Sequence, residues 1–191
     1  MKNELSDLEE GLDGSSRMQR KAAAKKREMW GWVLSLIAAV AIALTLRLFV
    51  FEFIRVDGSS MEPTLITDEY VFMEKVTYWF GEPQFGDIVI CYYPQRTETF
   101  VKRVIGTEGD IIEVHDGALF INNVMDATYF AGYMNAEMSP VVVPEDSVFV
   151  MGDNRNASMD STNSSIGPLP YDLILGKALF VIWPPSLIQG F

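Results

Sequence analysis

The apolar residues of this chain follow two different patterns, one before residue 52 and one after it. Residues 29–46 form an uncharged and mostly apolar run, and residues 48–51 extend it beyond the charge of Arg47. As a helix, residues 30–51 would span about 33 Å, close to the roughly 30 Å hydrocarbon core of a bilayer. The pattern therefore predicts one transmembrane helix over residues 29–51.

Charged and aromatic residues around this span predict its orientation. Trp30 and Trp32 suit the membrane interface, since tryptophan rings prefer the headgroup level. Residues 17–27 contain six basic residues and no acidic one, and such charge is retained on the cytoplasmic side. We therefore expect a single-pass protein of the cell membrane, with residues 1–28 as a basic cytoplasmic tail and the chain from residue 52 outside. A cleaved signal peptide is the alternative, but its charged region would be unusually long, and no polar small-residue cleavage segment follows the apolar run.

After residue 52 the pattern changes to short runs of β-branched and aromatic residues separated by glycine, aspartate and asparagine. Such runs predict strands, and Asp116-Gly117 between two of them is typical of a hairpin turn. Because little of this region suggests a helix, we expect residues 52–191 to be a mainly β domain with antiparallel strands, either barrel-like or two packed sheets. The runs lie at residues 70–73, 88–93, 100–105, 111–114, 119–121, 141–143, 148–151 and 178–183.

Composition excludes several classes of function. One cysteine and one histidine cannot build a disulfide framework, a cysteine cluster or a histidine-rich metal site. A formal net charge of −11 at pH 7 argues against nucleic acid as a partner, because that partner needs a basic surface. We therefore expect no metal and no cofactor.

The first candidate for chemistry is the segment 56–65, which contains Gly58, Ser59 and Ser60. Glycine followed by two small hydroxyl residues favours a tight turn. Such a turn can present a serine hydroxyl beside backbone N–H groups, as an oxyanion hole requires. An ordinary loop is the alternative, since this tripeptide is common in loops.

The second candidate is Lys102, which stands with Arg103 inside an apolar run predicted to be a strand. Side chains alternate along a strand, so a basic residue lies on whichever face is buried. A desolvated lysine has a lowered pKa and can serve as general base for a serine hydroxyl. The alternative is that one of these residues lies exposed on an edge strand.

The third candidate is the polar segment 151–161, which follows an apolar strand. Asp153 and Asp160 are its only acidic residues, too few for a Ca²⁺ loop.

Two other reactive side chains, His115 and Cys91, have structural interpretations that involve no chemistry. We expect His115 to be exposed beside the predicted hairpin turn, and Cys91 to be a small buried hydrophobic residue.

An aromatic cluster at residues 78–80 has two interpretations. It can belong to the hydrophobic core, or it can lie at the headgroup level of a membrane.

Taken together with the predicted helix, these segments resemble type I signal peptidase, a membrane-bound serine/lysine endopeptidase. The resemblance implies that Ser60, directly before Met61, is the nucleophile and that Lys102 is the general base. It also implies that the partners are signal-peptide-bearing pre-proteins and the lipid bilayer. The single anchor and the short stretch between residues 109 and 148 look like the compact form of Gram-positive bacteria. Further matches are Gly86-Asp87-Ile88-Val89, Gly109-Asp110, Gly152-Asp153-Asn154-Arg155, Gly176-Lys177-Ala178 and Trp183-Pro184-Pro185.

The resemblance also implies a supporting shell around the two catalytic residues. In it, Ser158 hydrogen-bonds the Lys102 amine and orients it, and Arg103 forms a structural ion pair with Asp153. The substrate of this family binds as an extended strand, with small side chains at positions −3 and −1 held in shallow apolar pockets.

Three departures from the family pattern involve four residues. Gly58 stands where many members have a serine that donates to the oxyanion, which leaves that task chiefly to the backbone N–H of Ser60. Asn156-Ala157 replaces the usual Asp-Asn, and Thr162 replaces the arginine that usually pairs with Asp160. The departures at Gly58 and Thr162 keep open a catalytically silent tethered β module. A self-cleaving serine/lysine peptidase is the other alternative, and the predicted membrane anchor counts against it.

Overall fold

The computed structural model describes the backbone of residues 2–130 and 132–191 and the side chains of residues 25–130 and 132–191. The chain divides into two compact units, Met1–Arg47 and Leu48–Phe191.

The N-terminal unit belongs to one helix, α1, which runs from Lys2 to Phe49. Residues 2–28 are rich in alanine, leucine, glutamate and lysine and contain no proline, a composition that favours a helix. The part from Lys25 to Phe49 is long and apolar enough to cross a membrane, and none of its most apolar stretch is buried. The predicted apolar span is therefore a helix, and its boundary at residue 28 stays a prediction.

The second unit is mainly β, as the alternating runs predict. Its strands pair antiparallel throughout the described part of the chain and form two sheets. One has seven strands in the order β1-β2-β11-β3-β4-β9-β10, and the other has four in the order β7-β6-β5-β8. The strands are Phe51–Arg55 (β1), Tyr70–Glu74 (β2), Ile88–Tyr92 (β3), Thr99–Gly106 (β4), Ile111–His115 (β5), Ala118–Ile121 (β6), Val124–Asp126 (β7), Met138–Val142 (β8), Ser147–Met151 (β9), Leu169–Pro170 (β10) and Ile174–Trp183 (β11), and a short helix, α2, covers Thr77–Phe80.

Strand β4 is buried on both of its faces. Val104 packs into a cluster with Val89 and Val150. On the opposite face, Ile105 packs into a cluster with Phe149, which also includes residues of the small sheet. The sequence pattern predicted one buried basic residue on this strand, whereas the double burial takes both of them out of water.

The predicted hairpin is confirmed, because β5 and β6 pair with His115 opposite Ala118. Asp116 and Gly117 form the turn with φ of 51° and 75°, the left-handed region that a two-residue hairpin turn requires. His115 stacks on the ring of Phe120 at 4.1 Å between centroids, and its side chain is 45% exposed.

The predictions for Cys91 and for the aromatic cluster at residues 78–80 have different outcomes. Cys91 is fully buried in the core, as expected. In the aromatic cluster, Trp79 and Phe80 are 57% and 87% exposed, so the core interpretation is wrong for them. Tyr78 is half-buried and donates a hydrogen bond to Asp87.

Candidate active site

Ser60 lies in the loop between β1 and β2, residues 56–69, which we call the Ser60 loop. Its two ends are held together by the backbone, since the Val56 N–H donates to the Glu69 carbonyl at 2.8 Å. Met61 and Leu65 are 1% and 0% exposed and anchor the loop in the core. Ser60, next to the Met61 anchor, remains partly exposed, so the loop presents its hydroxyl at the surface.

Lys102 lies in β4 and is 2% exposed. Its Nζ lies 2.7 Å from the Oγ of Ser60 and donates to the Val101 carbonyl at 2.9 Å. Burial lowers the pKa of Lys102 because the charged amine loses its hydration, and Asp160 and Asp153 oppose this only in part. The structure thus brings a buried amine with a lowered pKa into hydrogen-bond distance of a serine hydroxyl.

Residues 152–161 follow β9 and pack directly on the Ser60 loop. We call them the 152–161 loop. The backbone N–H of Asn154 donates to the Ser60 carbonyl at 3.0 Å. The Asn154 side-chain amide donates to the Ser59 carbonyl, also at 3.0 Å. One residue therefore holds two successive carbonyls of the Ser60 loop.

Gly152 is required by this packing. A Cβ at Gly152 would lie 2.3 Å from the Ser60 carbonyl oxygen and 2.4 Å from the Oγ of Ser158. Neither distance leaves room for a methyl group. Sequence reasoning placed Gly152 and Asn154 in a motif without giving either a role, because their contacts lie far away along the chain.

The hydrogen bonding of Ser158 differs from the role that the resemblance implies. Its Oγ is buried and has no hydrogen-bond partner among the residues that the structure describes. The Lys102 amine instead contacts Ser60 and the Val101 carbonyl. The implied bond from Ser158 to the amine is therefore not formed here, although Ser158 packs against Gly152 beside the Ser60 carbonyl.

Arg103 and Asp153 form the ion pair that the resemblance implies. Arg103 donates from Nε and Nη2 to the two carboxylate oxygens of Asp153 at 2.9 and 2.7 Å. Its Nη1 donates to the Gly86 carbonyl at 2.8 Å, and the guanidinium lies over the ring of Tyr129. Both partners are almost fully buried. The two-pronged pair ties β4 to the start of the 152–161 loop.

Asp160 accepts hydrogen bonds from neutral donors in place of the arginine that is usual in the family. It is 1% exposed, and one carboxylate oxygen accepts from the Gly152 N–H at 3.0 Å. The other oxygen accepts from the Thr162 hydroxyl at 2.8 Å and the Thr162 N–H at 3.2 Å. Thr162 thus satisfies a carboxylate that lacks its usual arginine partner in this chain.

A cleft of about 620 Å³ opens beside Ser60 and Lys102. Strand β1 is the edge strand of the large sheet. Strand β4 pairs with β9 only from Arg103 onward, so residues 99–102 leave one backbone edge unpaired. Unpaired edges of this kind bind extended peptides by main-chain hydrogen bonds. The lining residues are Ile54, Arg55, Val56, Asp57, Gly58, Ser60, Met61, Arg96, Thr97, Glu98, Thr99, Phe100, Val101 and Lys102.

Two further features of the site bear on its chemistry. Gly58 is exposed at the cleft with φ of 99°, and nothing lies within 4 Å of where its Cβ would be. Within the described part of the chain, no three His, Cys, Asp or Glu side chains are grouped so as to hold a metal ion. The arrangement present here suits attack by a serine activated by an amine.

Comparison with known proteins agrees with this geometry. The family model described as "Signal peptidase, peptidase S26" matches residues 29–183. The chain belongs to this family. Among signal peptidases, Signal peptidase I of Bacillus licheniformis is 37% identical over 182 residues, which cover 90% of this chain and 97% of that protein. Signal peptidase I T of Bacillus subtilis (strain 168) is 38% identical over 86% of this chain and 91% of its own length. The predicted family is therefore confirmed.

Two other similarities are less complete. "Thylakoidal processing peptidase 1, chloroplastic" of Arabidopsis thaliana is 38% identical over 83% of this chain, and the match spans about half (53%) of that longer protein. A solved signal peptidase I from Enterococcus faecalis V583 is 29% identical, with a TM-score of 0.43, and covers 51% of this chain and 97% of that structure. The family assignment rests on the sequence matches.

Proposed function

We propose that this chain is a membrane-anchored serine endopeptidase that removes signal peptides from exported pre-proteins, with Ser60 as nucleophile and Lys102 as general base. One observation carries the proposal: Lys102 is 2% exposed, and its amine lies 2.7 Å from the Ser60 hydroxyl. Membership in the signal peptidase family supports the same conclusion. An amine removed from water is neutral more readily, and a neutral amine can accept a proton.

In the first half of the reaction, Lys102 takes the hydroxyl proton of Ser60 while the oxygen attacks the carbonyl carbon of the scissile bond. The backbone N–H of Ser60 has no hydrogen-bond acceptor among the described residues and can donate to the developing oxyanion. The C–N bond then breaks, and the new amino terminus of the mature protein leaves with the proton from Lys102. The signal peptide remains as an ester on Ser60.

In the second half, Lys102, neutral again, accepts a proton from water as the water oxygen attacks the ester carbonyl. The C–O bond to Ser60 breaks, and the serine oxygen recovers the proton. The signal peptide leaves as a carboxylic acid. One amine thus serves both halves.

The cleft supports a strand-like substrate. An extended peptide can pair with the unpaired edge at residues 99–102, and residues of β1 also line the cleft. We infer that small side chains at positions −3 and −1 are preferred, as in the family that the sequence resembles. In the proposed topology, helix α1 spans the membrane with the basic residues 17–27 on the cytoplasmic side.

The deciding experiment uses the purified full chain in detergent and a precursor with a signal peptide. Wild type should cleave it at one bond, Ser60→Ala should not, and the exposed neighbour variant Ser59→Ala should retain cleavage. Terminal sequencing of the mature product identifies the bond. Cleavage by Ser60→Ala at the wild-type rate would remove the assignment.

Each alternative has its own outcome in this assay. A silent binding module predicts that wild type leaves the precursor intact. A self-cleaving peptidase predicts that only the enzyme chain itself is cut. If His115→Ala abolished cleavage and Lys102→Ala did not, a histidine-based mechanism would replace the lysine.

A further inference from the structure

Asn156 joins the 152–161 loop to the small four-stranded sheet and its connections. Its Oδ1 accepts from the Asn135 N–H at 2.7 Å, and its Nδ2 donates to the Tyr133 carbonyl at 2.8 Å. Asn156 itself is exposed, so core packing does not explain this side chain. Its amide is occupied by two backbone groups of a segment that lies outside the cleft.

That segment is fixed to the β5–β6 hairpin. The Met134 N–H donates to the Gly117 carbonyl at 2.9 Å, and Met134 is 2% exposed. The ring of Tyr133 lies against Gly117 so closely that a Cβ there would come within 2.1 Å of it. Tyr133 and Asn135 therefore offer their backbone groups to Asn156 from an anchored position.

The other end of the connection reaches Ser60. Asn154, two residues before Asn156, holds the carbonyls of Ser59 and Ser60. The Ala157 N–H donates to the Asn154 carbonyl at 2.9 Å, which closes a tight turn around Asn156. Hydrogen bonds, joined by short stretches of backbone, thus connect the hairpin through Asn156 and Asn154 to the backbone of Ser60.

We propose that Asn156 is a positioning residue that uses the small sheet to hold Ser60 in line with Lys102, a role that rests on the proposed function above. The Ser60 loop is partly exposed, and a displacement of about 1 Å in an active site can cost about 100-fold in rate. Asn156 is not among the residues that line the cleft, so it acts on the serine and not on substrate binding.

The test compares Asn156→Ala and Asn156→Asp with Thr128→Ala in the full chain. Asn156→Ala removes both hydrogen bonds, and Asn156→Asp removes the donor to the Tyr133 carbonyl. Thr128→Ala is the matched control, because Thr128 is also exposed and, among the described residues, bonds only to Asp126 of the small sheet. Both Asn156 variants should lower kcat about tenfold with KM unchanged within about twofold, part of the rate that misplacement of a catalytic group can cost. The control should match wild type.

A second measurement separates positioning from the proposed chemistry. Hydrogen exchange of the Asn154 amide, which is bonded to the Ser60 carbonyl, should become faster in both Asn156 variants and stay unchanged in Thr128→Ala. This readout does not require catalysis. The kcat assay is run well below the melting temperature, where a loss of global stability leaves the folded fraction unchanged. Because such a loss would also speed exchange of core amides such as that of Val104, only an acceleration at Asn154 that exceeds the one at Val104 supports the proposal.

Coupling along the path is tested with Gly117→Ala, which displaces the Tyr133 ring. If both changes act through one connection, the double variant with Asn156→Ala should lose less kcat than the product of the two single losses. The proposal is overturned if Asn156→Ala and Asn156→Asp keep wild-type kcat, or if the Asn154 amide stays protected in both. If the wild type fails to cleave precursors but exchange at Asn154 responds as expected, the proposed function fails and the connection stands.

Discussion

The two residues of the candidate dyad differ in their local structure, since one lies in a buried strand and the other in a partly exposed loop. Lys102 lies in β4, where Val89 pairs with Lys102 itself and Ile88 and Met151 both pair with its neighbour Arg103. Ser60 lies in a partly exposed loop that is held by a few backbone hydrogen bonds and by Asn154. The base is placed by a sheet, and the serine is placed by a loop that another loop supports.

This difference follows from what each group must do. An amine is neutral near neutral pH only if it is kept from water, and a strand with both faces buried achieves that. A nucleophile must meet a peptide that arrives from outside, so it needs an exposed position. Substitutions in β4 should therefore change the ability of Lys102 to accept a proton. Substitutions around the Ser60 loop should change the alignment of Ser60 with Lys102.

The largest effect is expected for Lys102→Arg, which replaces the neutral amine with a permanently charged group and so removes the base. A guanidinium stays protonated in proteins, so kcat/KM should fall by roughly 10³-fold or more. Lys177→Arg is the control, since Lys177 pairs with Asp87 and an arginine can keep that pair. Precursor cleavage at near wild-type rate by Lys102→Arg would contradict the role of the base.

On the loop side of the comparison, Gly152→Ala should be the most damaging small change. The added methyl group must displace the Ser60 carbonyl or Ser158, since each lies within 2.4 Å of its position. A shift of about 1 Å would cost about 100-fold in kcat. Gly190→Ala, where the nearest atom lies at 3.7 Å, should be silent. Equal activities of the two variants would show that the loops do not align Ser60.

The burial of Lys102 should also lower the free energy of unfolding of the protein. The folded-state pKa of Lys102 is lowered by burial from its usual value of 10.5, so between that lowered pKa and pH 10.5 the unfolded chain binds more protons than the folded one. Stability contributed by this residue therefore rises with pH until it levels off near pH 10.5. Lys102→Met, which never binds a proton, should be more stable than wild type at neutral pH.

Chemical denaturation at several pH values measures this difference. The advantage of Lys102→Met should shrink as the pH approaches 10.5. An advantage that grew with pH would mean that the Lys102 amine is charged in the folded protein.

The smallest effect is expected for Thr162→Val, which tests the neutral donors of Asp160. The variant loses the 2.8 Å hydroxyl bond while the Gly152 and Thr162 N–H groups still hold the carboxylate. It should lose about 1 kcal/mol of unfolding free energy and retain activity within about threefold of wild type. Denaturation and cleavage assays measure both, and a loss comparable to that of Gly152→Ala would show that the hydroxyl does more than satisfy Asp160.

The predictable parts of this protein are those that depend on neighbouring residues. The apolar run predicted the helix, and Asp116-Gly117 predicted a hairpin because the turn needs φ > 0 at adjacent positions. Lys102 and Ser60 are 42 residues apart, and their partnership came from a resemblance to known motifs. Their local residues alone favoured an ordinary loop and an exposed edge-strand lysine over a dyad.

Alternation along β4 showed that a basic residue would be buried, but the sequence alone did not show that Lys102 and Arg103 both are. Both side chains are buried because residues from distant strands pack on both faces of the sheet. The same holds for Asn154, which contacts Ser59 across 95 residues of chain. Local sequence determined the turns, the strands and the apolar helix, because these depend on short-range sterics and on the spacing of apolar residues. Tertiary structure decided which amine loses its water and which loop supports the serine, because desolvation and long-range hydrogen bonds exist only once the sheets have packed.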